Sequence, residues 1–155
     1  MAKRVWKRVR ATSLRHAMEL CKEYARDKHN LSVERIAELM GLADHWVLYK
    51  WISEGRMPAV MIPAYEATCG KQFITQWLAS SSGRLLIDMP TGRTCKAKDM
   101  QALQEVLHTT TGALMQFYAG DAETEDVLGT VKTAMESLGW HHNNVAAYEQ
   151  PQLEL

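Results

Sequence analysis

No stretch of this chain approaches the roughly 18 consecutive apolar residues of a membrane-spanning helix, although 46% of its 155 residues are hydrophobic. The N-terminal residues are basic and lack the apolar run of a secretory signal. No membrane partner is expected, and the expected location is cytoplasmic. Cysteine is scarce: Cys21, Cys69 and Cys95 are odd in number and form no CxxC pair. That argues against a disulfide framework and against a cysteine zinc site. The three read as reduced thiols, two of them on buried helix faces. Walker and Rossmann spacings are missing, as are low-complexity tracts and repeats of solenoid period. Strand signals are nearly absent; only Leu85, Leu86 and Ile87 form a short apolar run, which fits a strand or an extended linker. What remains is a globular composition, long enough for one ordinary domain or a small domain with an appendage.

Net charge is also lacking, with 18 Lys/Arg against 18 Asp/Glu. The zero hides a split. Residues 1–57 hold 12 Lys/Arg and 7 Asp/Glu, a balance of +5, while residues 58–155 hold 6 and 11, a balance of −5. The first part is suited to a polyanion and the second is not. The basic residues are densest at Lys3, Arg4, Lys7, Arg8 and Arg10.

Periodicity predicts helices along most of the chain. Ser13 caps a first helix to Asp27, with Ala17, Leu20, Cys21 and Tyr24 on one face. Ser32 caps a second, with Val33, Ile36, Ala37 and Met40 inward, ended by Gly41. Asp44 caps a third, from His45 to about Glu54, stopped by Gly55. A fourth runs from about Pro63 to Cys69, and a fifth carries Phe73, Ile74, Trp77 and Leu78. Ser80–Gly83 is the best break. After it, Met100, Leu103, Leu107, Thr110, Leu114 and Phe117 make one helical stripe. Leu128, Val131, Met135 and Leu138 make another, up to Gly139. The two read as a helical hairpin about an acidic turn. From Trp140 the tail reads as a separate short helix with a Pro151-broken end.

The segment from about Leu31 to Gly55 fits a helix-turn-helix that reads DNA. Two short helices must cross closely, which Ala37 permits, and the turn needs a residue tolerant of positive φ, which Gly41 supplies. Val47, Leu48, Trp51 and Ile52 would be buried. His45, Trp46, Tyr49, Lys50 and Ser53 would form the free, base-reading face. Lysine can reach guanine edges, hydroxyls can donate to phosphate, and aromatics can touch thymine methyls. Lys3, Arg4, Lys7, Arg8, Arg10 and Arg56 would contact phosphates. The competing possibility is an ordinary pair of packed helices with Trp46 and Tyr49 in the core.

The run from Ile36 to Gly70 resembles phage Cro-like and CII-like regulators. The matching parts are Lys50-Trp51-Ile52-Ser53, Gly55-Arg56-Met57-Pro58 and Glu66-Ala67-Thr68-Cys69-Gly70, about a quarter of the chain. Gly41 and Trp51 stand one residue further apart than that pattern has them, which leaves open which of Trp46, Leu48 and Tyr49 faces DNA. The resemblance implies a phage or prophage DNA-binding regulator.

Other constellations are weaker. His141 and His142 are adjacent and diverge by about 100° on a helix, so they cannot chelate one ion together. His108 has no nucleophile in a recognisable setting beside it. Thr91-Gly92-Arg93 is a common turn. No catalytic residue, metal or cofactor is expected.

The expectation is therefore an all-α protein. Residues 1–80 would be a helix-turn-helix domain with a basic arm, 81–98 a linker with a short extended segment near 84–90, and 99–155 a helical oligomerisation region. Leu103, Leu107, Leu114, Phe117, Leu128, Val131, Met135 and Leu138 would form the oligomer interface. The partners would be double-stranded DNA and further copies, as a dimer or tetramer that places recognition helices one DNA turn apart, ~34 Å. The expected function is transcription regulation by operator occupancy. A small-terminase-like DNA-packaging accessory and a protein–protein interaction module are the alternatives.

Overall fold

A computed structural model describes residues 5–6, 9–88 and 94–149, with Glu149 described by its backbone alone. Among these there are seven α-helices and no strand: α1 Leu14–His29, α2 Val33–Leu39, α3 His45–Glu54, α4 Ile62–Cys69, α5 Phe73–Ser81, α6 Ala97–Ala119 and α7 Thr124–Glu149. A 3-10 turn, Ala59–Met61, leads into α4. No helix among the described residues is long and apolar enough to cross a membrane. The chain divides into two compact units, Met1–Leu86 and Ile87–Leu155.

The first unit is built from short helices whose ends are written in side chains. Ser13 accepts from the His16 N–H, Ser32 from the Arg35 N–H and Asp44 from the Trp46 N–H, so each start satisfies a donor that the helix itself cannot. Asn30, Gly55 and Gly70 stop α1, α3 and α4 in the left-handed conformation. α1 is the central element and packs on α3, α4 and α5, while α2 packs on α3 and α4. The core between them holds Met18, Leu20, Cys21, Ile36, Leu48, Tyr65, Cys69, Phe73 and Ile74, all essentially without exposed surface.

Two buried polar groups tie this core together. The Tyr65 hydroxyl of α4 donates to the Met18 carbonyl of α1 at 2.8 Å. Glu66, also of α4, accepts from the Thr75 N–H at 2.9 Å and from the Thr75 hydroxyl. α5 has no N-cap side chain of its own; Glu66 does that work from the neighbouring helix. Trp6 supplies a third tie. Its indole N–H donates to Asp27 at 2.6 Å, and its ring meets Tyr24 edge-on at 5.1 Å and lies 6.0 Å from Phe73.

Residues 84–88 lie in neither helix nor strand. The rest of the expected extended segment, 89–90, lies outside the described residues, as do Thr91, Gly92, Arg93 and Pro151.

In the second unit α6 packs on α7. The Thr110 hydroxyl reaches the Thr130 carbonyl at 3.4 Å, and Cys95 lies 4.0 Å from His141, so the helices run in opposite directions. Gly120 ends α6 at φ +88°, and Glu125 and Asp126 in the first turn of α7 suit its positive end. The expected stop at Gly139 is not there: α7 continues without a break through Trp140 to Glu149. Gly139 does not take the left-handed conformation that ends a helix, and a Cβ there would come 3.2 Å from the Ile87 side chain.

Candidate nucleic-acid interface

α2 and α3 are joined by a tight turn. Met40 closes α2, Gly41 turns at φ +73°, and the Leu42 N–H returns to the Ala37 carbonyl at 2.9 Å. Ala37 is 1% exposed, which lets the two helices approach.

Burial fixes the phase of α3. Leu48 and Ile52 are buried and Trp51 half-buried. Each residue turns about 100° on the last, so Val47 is swung away from this seam and is 39% exposed. That corrects the expectation that Val47 is buried. Trp46 lies opposite the seam, 67% exposed, and Tyr49, Lys50 and Ser53 share its arc. Trp46 and Tyr49 are thus surface residues. His45 is half-buried at the border of the arc.

Three of the five base-reading candidates form one cluster. The His45 and Trp46 rings are 5.1 Å apart, Trp46 and Tyr49 5.6 Å, and His45 and Tyr49 6.2 Å. The Tyr49 hydroxyl donates to Glu34 of α2 at 3.0 Å. Glu34's own backbone N–H, the Ser32 hydroxyl and that tyrosine hold the Glu34 carboxyl below its ordinary range. The same bond raises Tyr49 above the usual phenol range. Both groups therefore keep their ordinary neutral-pH charge states. Ser53 turns its hydroxyl back onto the Lys50 carbonyl at 3.1 Å, which leaves its lone pairs outward.

The end of α3 positions Arg56. The Gly55 N–H bonds the Ile52 carbonyl and the Arg56 N–H bonds the Trp51 carbonyl at 3.0 Å, a Schellman closure. Met57 is buried just beyond, so the backbone of Arg56 is held on both sides while its side chain stays exposed. Gly55 also lies against α1, beside Arg15. Arg15 is exposed and pairs with Glu19 at 3.3 Å; it is a cation at this end of α3 that periodicity alone does not reveal.

Of the other phosphate candidates, Arg10 is exposed and donates to the Val9 carbonyl at 3.1 Å. Lys3, Arg4, Lys7 and Arg8 lie outside the described residues. Trp6, which stands among them in sequence, is anchored in the core, and its signal was a lone aromatic in a basic tail. A cleft of about 470 Å³ beside Tyr49 is lined by Lys22 and Arg26 but also by Glu23 and Glu34, so its charges balance. No cluster of three or more His, Cys, Asp or Glu suited to a metal occurs among the described residues.

The expected oligomer residues fall into two sets. Leu103, Leu114, Phe117, Val131 and Met135 are half-buried, whereas Leu107, Leu128 and Leu138 are exposed. No protein family model, curated protein or solved structure matches the chain.

Proposed function

We propose that this chain is a phage or prophage transcription regulator that occupies an operator through a helix-turn-helix, and does so as an oligomer. The helix-turn-helix is α2, the turn through Gly41, and α3; the extended residues 84–88 connect it to a helical hairpin of α6 and α7. The observation that carries this is the outward arc of α3. Trp46, Tyr49, Lys50 and Ser53 are exposed on a helix whose opposite side is anchored by Leu48 and Ile52, with the Tyr49 hydroxyl donated to Glu34 and the Ser53 hydroxyl to the Lys50 carbonyl. A helix anchored on one side with polar and aromatic groups on the other is what major-groove readout requires. Lys50 reads a guanine edge, Trp46 and Tyr49 pack on thymine methyls, and Ser53 and His45 complete the readout. Val47 adds an apolar contact that the sequence pattern had assigned to the core.

Phosphate contacts from Arg56, Arg10 and the basic residues Lys3, Arg4, Lys7 and Arg8 supply salt-dependent affinity, with a slope of about −0.9 in log K per log salt for each phosphate neutralised. The test is binding to DNA fragments from the chain's own regulatory region, followed by fluorescence anisotropy across a salt series. The wild type should bind one fragment tightly, and the slope should shallow by about 1 when Arg56→Ala removes one phosphate contact. Lys50→Ala should lower the preference for that fragment over random DNA by about 10-fold or more. No binding at low salt, or a Lys50→Ala/Arg56→Ala double variant that behaves as the wild type, overturns the reading.

A further inference from the structure

The second unit leaves more apolar surface in solvent than two helices packed only on each other can justify. Its described part has three buried residues, Thr110, Val127 and Ala134. Two helices bury one stripe each and need a further layer to make a core.

Of the exposed apolar residues, Met100, Leu107 and Leu128 fall in rows with the half-buried Leu114 and Met135, while Met115, Val145 and Tyr148 lie elsewhere. Phe117 and Val106 fall beside Thr110 on the side of α6 that meets α7. About a quarter turn round α6 from them, Met100, Leu107 and Leu114 recur every seven residues. Leu128 and Met135, also seven apart, lie about a quarter turn round α7 from Val127 and Ala134. Since the helices are antiparallel, the two rows lie on the same side of the pair. Leu128 is 63% exposed, Met100 48% and Leu107 37%. The other side of the pair carries Glu105, Thr109 and Gln116 from α6 and Asp126, Thr133 and Ser137 from α7. The pair is thus amphipathic as a unit, with heptad-spaced rows on one side.

We propose that this face binds a second copy of the chain, two α6–α7 pairs stacking as an antiparallel four-helix bundle. It deepens the self-association in the reading above and needs nothing of its DNA part. Size fits: 23 residues of helix span about 35 Å and two helices side by side about 20 Å, so each copy offers roughly 700 Å², close to the ~800 Å² per partner of a standard interface. Charge selects the orientation. The turn between the helices carries Asp121, Glu123, Glu125 and Asp126 with no cation among them. The far end of α6 carries Lys96 and Lys98, and Asp99 there is engaged by the Lys96 N–H at 2.7 Å. Stacking the copies turn to turn sets like charges together; stacking them with the turns apart sets each acidic turn near the partner's lysines. In that arrangement α6 lies along α6 of the other copy, and Leu107, near its middle, faces Leu107 of the partner subunit.

Two measurements on the full chain without DNA test this. In sedimentation the wild type should run at twice 17.6 kDa, and a Leu107→Glu/Leu128→Glu variant at the monomer mass, while Thr109→Glu on the polar side stays dimeric. In a Cys95→Ser background, Leu107→Cys should form a disulfide-linked dimer under mild oxidation and Thr109→Cys should not, a result that does not depend on the charged variants folding. A Leu107→Glu/Leu128→Glu variant that oligomerises as well as the wild type overturns this face but leaves self-association standing. An assembly larger than a dimer overturns the two-fold bundle, a ring of eight or more favouring a packaging role. A monomeric wild type overturns the interface and self-association together, without bearing on whether the first unit binds DNA.

Discussion

Cys21 and Cys69 have no exposed surface, and their chemistry follows from that. Burial in an apolar core disfavours the thiolate and pushes Cys21 up to about 12, with the nearby Glu66 carboxylate adding to the rise. Cys69 moves the same way, again chiefly through burial, and burial likewise raises the Tyr65 phenol. Such thiols neither attack nor ligate at neutral pH. They also make stability depend on pH. A group whose pKa is higher folded than unfolded stabilises fully below its unfolded value, and that stability is lost as pH rises toward the folded value. For Cys21 the window opens near the ordinary thiol value of 9.0 and extends to about 12. The unfolding free energy of the first unit, from urea titrations, should therefore be level from pH 7 to 9 and fall above it, by up to about 1.4 kcal/mol per pH unit for each such group. Cys21→Ala should make the fall shallower. An alkaline slope identical in that variant would locate the effect in other groups.

At the scale of elements, the end of α3 is the sharpest case, because one residue satisfies two demands. Gly55 stands at φ +68°, and a Cβ there would lie 2.9 Å from the Arg15 Cβ on α1. Gly41 stands at a similar φ of +73° with nothing within 4 Å. Gly41→Ala thus meets backbone strain alone, about 1 kcal/mol, whereas Gly55→Ala must also push α1 away and should cost about 2–3 kcal/mol. The first unit should lose roughly 4–8 °C of Tm per kcal/mol, and equal losses in the two variants would remove the claim that α3 is seated against Arg15. The same comparison marks what the sequence discloses. Caps at Ser13, Ser32 and Asp44 and left-handed stops at Gly55 and Gly70 act within a few residues, so the chain shows them directly. Val47 misled because neighbouring apolar residues look alike in a list, yet only the pair Leu48 and Ile52 points inward. Gly139 misled because a glycine after a helical stripe reads as a stop, yet here its φ is not positive and the helix runs on. Glu66 capping α5 and Trp6 closing on Asp27 are tertiary arrangements with no local pattern to announce them. The outward arc of α3 was legible as a set of residue types; its phase needed the packed structure.

At the scale of the whole molecule, the two units differ in how they are held together. The buried core cluster draws on every helix of the first unit and on none of the second, and counted at this division residues 1–86 hold 14 Lys/Arg and 8 Asp/Glu while residues 87–155 hold 4 and 10. A fragment of residues 1–86 contains a closed core and every tie described for it, Trp6–Asp27, Tyr65–Met18 and Glu66–Thr75. It should unfold cooperatively as a monomer, at a Tm that does not change with concentration. A fragment of residues 87–155 has only Thr110, Val127 and Ala134 buried in its described part, so its helices depend on what covers Leu107 and Leu128. Mass action then makes its stability a function of concentration. Circular dichroism over a hundredfold dilution should show the helical signal of the second fragment falling and its melting temperature dropping, while the first fragment is unchanged. If 87–155 stayed equally helical when dilute, the pair would be self-sufficient and its apolar face would not be needed for folding. If 1–86 failed to fold, the first unit would owe its stability to residues beyond Leu86, and the division at that point would be one of contact density and not of folding.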